Sequence, residues 1–526
     1  MKKAPRSPYE MNAFADALLE SCARRKLGLK ATLDVLLPKI AGAFGADAAA
    51  LQTANEDLRN ETFSWGAAPA FDLSRAPSKL STKTSRGLHW VSQGLDLDGR
   101  RVGTLAMGYR RRPDTGGDYS ERLDAVCEEL DNTMWNIQSA AVKQKLMERV
   151  TRCLTRSVLR DALDEAVEAL HAEIPFRHLG LVYHNDDGDE GERIQYRVYR
   201  GRRCVHDSEQ RPHKELSRAI GGLGLGLLDP ERHVVRKLLG MKEGMAFSLS
   251  GRAAGSGRLG KLVVDVDGGL STFGRDLISI FANSISQRLI DYNRERRHMA
   301  QFFPPAVVSE LLGDPHYLRK HLSPRVEDVA ILYADINSFT KLCEKGLKRP
   351  DRIGEFVDRW SEGAVRIAWE HGGVFDKMVG DCVIILFGPP FFRESPAACA
   401  RSAAEAALRI QRFTASLGRL PRYRGLPAAI KAPGLGVAVG INLCQAAVGL
   451  FGPNHDYTAF SSGMNQAARL QSKAGYRETL VMDPAKTAME KAGLARGLRF
   501  EGPYETEAKN VARPLRYFRL RTARRA

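Results

Sequence analysis

The stretch Val329–Thr340, VAILYADINSFT, constrains this chain most, because an apolar run of buried-strand character ends in an acid, Asp335. Such a run reads as a strand inside a sheet, covered on both faces. A second run, Phe375–Gly388, FDKMVGDCVIILFG, again sets a carboxylate, Asp381, against buried-strand sequence. A strand ending in Asp335 and a hairpin carrying Asp381 can bring two acids to one point, where hard oxygen ligands suit Mg2+ or Mn2+. A single Asp at a strand end is more often a turn or helix cap, so the reading depends on the pair.

The chain has 526 residues, 43% hydrophobic and 27% charged, which allows three or four soluble globular domains. The start Met-Lys-Lys-Ala looks like the n-region of a signal peptide, but no apolar h-region follows, so the expected location is cytoplasmic. One window, Gly434–Gly452, is apolar enough to resemble a membrane span. Asn442, Gln445 and its β-branched and glycine content favour two buried strands instead, so no transmembrane segment is expected. Eight cysteines, at 22, 127, 153, 204, 343, 382, 399 and 444, form no CxxC pair and read as reduced and structural. The net charge of +17 is spread along the whole chain without a helix-turn-helix, zinc-finger or RNA-binding signature. This excludes a dedicated nucleic-acid reader and fits a cationic protein that attracts polyphosphate anions.

Before the joint Met299–Leu312, one architectural unit is used twice: helix, strand, hairpin, then a long amphipathic exit helix. The first copy has a helix at Leu29–Phe44, a strand at Ala46–Thr53 and a hairpin over Gly87–Arg110 turning at Asp98-Gly99. Its exit helix opens at Ser120 as N-cap and places Leu123, Leu130 and Ile137 seven apart. The second copy has a helix at Val158–Ile174 and strands at His178–His184, Met245–Ser250 and Gly260–Asp267, then an exit helix near Asp276–Arg296. Order and size resemble tandem GAF sensor domains, which implies a small-molecule ligand in the N-terminal region. In the joint, MAQFFPPAVVSELL, Pro304-Pro305 breaks the exit helix and starts a short new one. From Glu327 to about Leu520, strands and helices alternate in an α/β domain.

Within that domain INSFT, after Asp335, reads as a helix start that offers backbone N–H groups to phosphate. Downstream, Asn465 and Arg469 in MNQAARLQ are four apart and share one helix face. An amide and a guanidinium so placed suit charge developing on a phosphoryl group.

In order and spacing, ADINSFT, FDKMVGD, DYTAF…NQAAR and the terminal ETEAKNVARPLRYFRL resemble the class III nucleotidyl cyclase catalytic domain over about residues 327 to 520. The resemblance implies that Asp335, Asp381 and the Ile336 carbonyl hold two divalent cations, Mg2+ or Mn2+. It implies that Asn465 and Arg469 stabilise the transition state, that Lys509 holds the terminal phosphates, and that Asn337, Ser338, Phe339 and Thr340 line the triphosphate. Lys377 and Thr458 fall where the family reads the purine. Lys donates to N1 of adenine and meets N1–H of guanine poorly, while a hydroxyl accepts from the exocyclic amine, so ATP is the expected substrate. Lys377 and Asp381 belong to opposite halves of the family's pocket although they share one hairpin, which implies a homodimer with shared active sites. The chain departs from the family at Ser338, where a glycine is common, and at Ser461-Ser462, where the family has Gly-Asp.

The expected architecture is α/β and α+β multidomain, with a C-terminal ferredoxin-like, palm-type class III cyclase domain preceded by two GAF-like α+β domains joined by long helices. The divisions are an N-terminal segment 1–28, sensor domains 29–142 and 143–296, a transducing linker 297–326, the cyclase domain 327–520 and a basic tail 521–526. The expected activity is adenylate cyclase. A guanylate cyclase and a catalytically silent nucleotide-binding regulator are the alternatives; the retained acids, Asn465 and Arg469 weigh against the silent one.

Overall fold

The computed structural model describes residues 5–54, 61–97, 100–185, 194–229, 233–241, 244–250, 258–507 and 514–522. Asp98-Gly99, Lys509 and the last four residues of the expected tail lie outside them. The chain divides into two compact units, Met1–Val150 with Leu270–Phe281 and Thr151–Gly269 with Ala282–Ala526.

In the first unit a helix not foreseen from the sequence, Pro8–Arg24, starts behind Ser7, whose side chain accepts from the Glu10 N–H. The next helix, Leu29–Phe44, stops at Gly45, which takes the left-handed φ of 64° that glycine tolerates. The sheet is antiparallel and five-stranded, in the order Thr62–Trp65, Ala48–Thr53, Arg100–Tyr109, Leu88–Leu97, Ser81–Ser85. The exit helix runs over Gly117–Leu154, so Ser120 is not its N-cap. The Gly116 carbonyl already accepts from the N–H groups of Tyr119 and Ser120, which begins the helical bonding upstream.

In the second unit the first sheet is again antiparallel and five-stranded, ordered Arg203–Asp207, Ile194–Arg200, His178–His184, Arg258–Asp265, Met245–Ser250. Counting strands within each domain, both sheets share the run second, first, fifth, fourth. The third strand is added at opposite ends. The exit helix spans Thr272–Ala300, its residues from Ala282 onward belonging to this unit, and a new helix, Pro305–Leu312, follows the proline pair as expected. Between them Phe303 is fully buried against the Tyr457 ring, and the Phe302 carbonyl accepts from the Phe375 N–H at 3.0 Å.

The C-terminal sheet has eight strands. Seven lie in the order Gly373–Val379, Cys382–Phe387, Arg325–Ile336, Val437–Phe451, Thr479–Met482, Leu515–Thr522, Leu498–Thr506, and Asp456–Phe460 pairs with Val437–Phe451. Neighbours are antiparallel except Val437–Phe451 with Thr479–Met482. The apolar window near Gly434–Gly452 is thus one 15-residue strand rather than two. It runs unbroken because it pairs along the whole of Arg325–Ile336, from Arg325↔Val448 to Ile336↔Val437. Two strands, Asp456–Phe460 and Leu498–Thr506, were not foreseen; the second carries an internal Gly-Pro that reads as a breaker.

Side chains alternate as strand geometry requires. Ala330, Leu332, Ala334 and Ile336 join Phe356, Trp360 and Ile410 in the core under the helices Pro350–Glu370 and Pro396–Leu417. The buried Trp360 Nε1–H donates to Thr414 Oγ1 at 2.9 Å, so the core carries no cost from that polar atom. Tyr333 and Asp335 consequently point to the other face. Among the described residues no helix is long and apolar enough to cross a membrane.

Candidate active site

Asp335 sits next to last in its strand. The hairpin that carries Asp381 turns in two residues, Gly380-Asp381, with Gly380 at φ 63°. Because Ala334 pairs with Val383, the hairpin tip reaches the end of the Asp335 strand, and the Ile336 N–H donates to Asp381 Oδ2 at 3.1 Å. The two carboxyls stand close enough to perturb each other. Burial first, then the Asp335 charge, pushes Asp381 up to about 7. Burial also raises Asp335, held back by Asp381 and by Gln471, whose Nε2 donates to Asp335 Oδ2 at 3.4 Å. Two half-buried acids with neutral donors around them keep a proton that a divalent cation would displace. The donor set therefore fits such a cation. Among the described residues no group of three or more His, Cys, Asp or Glu is placed to hold a metal ion. A cation here would rest on the two carboxylates, the Ile336 carbonyl and oxygens supplied by a substrate.

The segment after Asp335 is more constrained than its polarity predicts. The Asn337 N–H donates to the Gly436 carbonyl and Asn337 Oδ1 accepts from the Arg477 N–H, both at 3.0 Å, so this amide is tied to the sheet end rather than offered to phosphate. Ser338 takes φ 59°, the left-handed conformation that explains why a glycine suits this position. A helical turn, Phe339–Lys341, follows directly, with Phe339 half-buried and Ser338 and Thr340 exposed.

Asn465 and Arg469 lie on the helix Ser462–Lys473, N-capped by Ser461, whose hydroxyl accepts from the Gly463 N–H at 3.0 Å. The helix sits on the face of the sheet to which Asp335 points. Two glycines let it come close. A Cβ on Gly440 would stand 2.5 Å from the Ala467 carbonyl oxygen, and one on Gly463 would collide with Cys444 Sγ. Asn442, fully buried, anchors the helix start by donating from Nδ2 to the Gly463 carbonyl at 3.0 Å. This orientation turns Gln471 toward Asp335. Asn465 and Arg469, two to six residues earlier on a 100° per residue rotation, are carried onto a different face, the first exposed and the second half-buried. Asn465 and Arg469 share one face as expected, but the chain does not bring that face to its own Asp335.

Lys377 and Thr458 meet directly: Nζ donates to Oγ1 at 2.8 Å. Thr458 is buried and Lys377 half-buried beneath the Phe460 ring, 5.9 Å from its centroid. The edge strand carries a bulge between Phe375 and Lys377, and this places Asp376 and Lys377, consecutive residues, both toward Thr458. The Asp376 side chain is fully buried, with Lys377 Nζ 3.7 Å from Oδ1. Burial raises its carboxyl to about 6, against the pull of the Thr458 hydroxyl and the Lys377 ammonium. Tyr333 feels the same charge: burial, then Asp376, pushes its phenol up to about 12. Sequence reasoning passed over Asp376, Gln471 and Asn442. The first stood within the FDKMVGD motif but strict alternation would have turned it to the opposite face from Lys377.

Residues 322–512 match the family described as the adenylate and guanylate cyclase catalytic domain. No curated protein matches the chain. Similar solved structures include the adenylyl cyclase CyaB from P. aeruginosa, 24% identical, covering 39% of this chain and 98% of that one, TM-score 0.35. Adenylate cyclases from Trypanosoma brucei are 21% identical over 37% of this chain and 89% of theirs, TM-score 0.29. The guanylate cyclase domain of RhGC from Catenaria anguillulae is 16% identical over 38% of this chain and 98% of that chain, TM-score 0.30. With two acids paired at a strand end and a mixed sheet bearing helices, residues 322–512 are a nucleotidyl cyclase catalytic domain of the adenylate and guanylate cyclase family.

Proposed function

We propose that the chain is an adenylate cyclase that converts ATP to 3′,5′-cyclic AMP and pyrophosphate, under the control of its N-terminal domains. The observation that carries the reading is the Asp335–Asp381 pair, pinned by the Ile336 N–H inside the matched domain. The reaction is in-line attack of the ribose 3′-oxygen on the α-phosphorus. Bound divalent cations would supply a lower pKa for the 3′-hydroxyl and neutralise the triphosphate. Asp335, Asp381 and the Ile336 carbonyl would hold them, and Ser338 to Thr340 would bound the phosphate side.

Lys377 and Thr458 read the base. The ammonium donates to N1 of adenine and the hydroxyl accepts from the 6-amino group. Guanine reverses both polarities and leaves buried groups unpaired. Lys509 holds the terminal phosphates.

Asn465 and Arg469 face away from the Asp335 of their own chain, which supports a homodimer in which they act on the partner's phosphates. The sensor reading, with GAF-like domains at 29–142 and 143–296 and a small-molecule ligand, draws support from the sheet run common to both. The linker would pass the signal through the Phe302 carbonyl, bonded to the strand that bears Lys377.

The test is turnover of purified full-length protein with ATP or GTP and Mn2+, the cyclic product resolved by chromatography. Asp335→Ala and Arg469→Ala proteins, each inactive, should regain activity when mixed, because one hybrid site is intact. Failure to recover activity although the chains exchange would refute the shared site; no cyclic product from the wild type would refute the reaction.

A further inference from the structure

The Lys377–Thr458 pair leaves one question open that chemistry can answer. A threonine hydroxyl has one proton and two lone pairs, so by itself it can greet either an amine or a carbonyl. In this chain one lone pair of Thr458 Oγ1 already accepts from Lys377 Nζ at 2.8 Å. Behind both stands Asp376, fully buried, with Lys377 Nζ 3.7 Å from Oδ1 and neither carboxylate oxygen hydrogen-bonded. A buried carboxylate offers acceptors only.

We infer that Asp376 fixes the hydrogen-bond polarity of the base pocket: its buried charge holds the Lys377 ammonium and turns the Thr458 hydroxyl proton toward itself, so that Thr458 can only accept from the base and Lys377 can only donate. The inference rests on the cyclase reading above and deepens it, naming the source of the preference for adenine over guanine. The β-bulge between Phe375 and Lys377 is the device that makes this arrangement, since in a regular strand Asp376 would point to the opposite face from Lys377. With its proton turned toward the Asp376 charge, Thr458 presents its remaining lone pair to the 6-amino group of adenine. The 6-oxo group of guanine would meet that lone pair with another, and its N1–H would meet the ammonium. Asp376 touches no reacting atom and acts as a positioning residue.

The experiment uses full-length wild type, Asp376→Asn, Thr458→Val and the double variant. Two ratios are read: kcat/KM for ATP against GTP with Mn2+, and dissociation constants for 3′-deoxy-ATP against 3′-deoxy-GTP, which bind but cannot cyclise. An asparagine amide carries no charge to orient the Thr458 hydroxyl, so that its proton is freed for the 6-oxo group. The adenine-to-guanine ratio should fall about tenfold or more in Asp376→Asn, the usual scale for a mispaired buried hydrogen bond. On the Thr458→Val background the same change should add little, which a merely structural role of Asp376 would not produce. Asp376→Glu, which restores an acceptor, should recover much of the ratio. Where Asp376→Asn does not fold, Asp376→Ser replaces it with the same expected fall. An unchanged ratio in a wild type that makes cyclic product, or an equal fall on the Thr458→Val background, overturns the inference and leaves the cyclase reading standing. Binding without cyclic product overturns the cyclase reading alone, and the binding ratio then judges Asp376.

Discussion

Asp381 at the tip of the hairpin and Asp376 at its bulge belong to one short strand pair, yet their charges are compensated in opposite ways. Asp381 faces a second acid, Asp335, and a neutral donor, the Ile336 N–H, while the Gln471 amide donates to Asp335. Asp376 faces a lysine. The first arrangement calls for charge from outside and so marks a site for mobile cations. The second is closed on itself, and its effect is to orient neighbouring hydrogen bonds. Burial alone therefore does not tell what a carboxylate is for; the sign of its nearest partner does.

The strongest way to break this contrast is to remove the acids in turn. Asp381→Ala or Asp335→Ala should reduce cyclic-nucleotide formation by on the order of a thousandfold or more, since cation stabilisation of the transition state is worth several kcal/mol. Asp376→Asn should retain turnover and alter mainly which base is used. If Asp376→Asn were as inactive as Asp381→Ala, the two corners would not be distinct in function.

A smaller effect is expected from the packing that places the helix beside the tip. Gly463→Ala puts a methyl into Cys444 Sγ and should destabilise by about 1–3 kcal/mol, an overpacking cost, read as a lower Tm. Because the displaced helix also carries Asn465 and Arg469, turnover should fall with it while the ATP-to-GTP ratio holds.

The smallest effect is a pH signature of the tip. In the metal-free protein the Asp381 carboxyl is raised from 3.8 to about 7, so the folded state holds its proton more tightly than the unfolded chain. The favourable contribution is present below about 3.8 and is lost as pH rises through about 7. Asp381→Asn, which cannot ionise, should thus melt above the wild type without metal, with a gap that opens from pH 4 toward pH 7. Mn2+ should raise the wild-type Tm and not that of the variant. A gap that does not change with pH would mean that the tip does not repel itself.

Much of this was legible in the chain. The strand ending at Asp335, the hairpin with Asp381, the helices Pro350–Glu370 and Pro396–Leu417 and the break at Pro304-Pro305 follow from local pattern: apolar run length, amphipathic period, proline chemistry. The pairing of Lys377 with Thr458 was reached only through family resemblance, because residues so far apart in sequence share no local signal. The strand Asp456–Phe460 is too short to announce itself and exists because Val437–Phe451 extends beyond its other partners and leaves an edge to pair.

The sequence by itself determined which residues could be buried and which acids could end a strand, since those depend on side-chain chemistry and on periods of a few residues. Only the tertiary structure decided which face each functional group took. The bulge sent Asp376 to the side of Lys377, and Gly440 and Gly463 let a helix settle so that Gln471, not Arg469, met Asp335. Such choices turn on the register between strands and on contact distances between elements, which are set when the chain closes on itself.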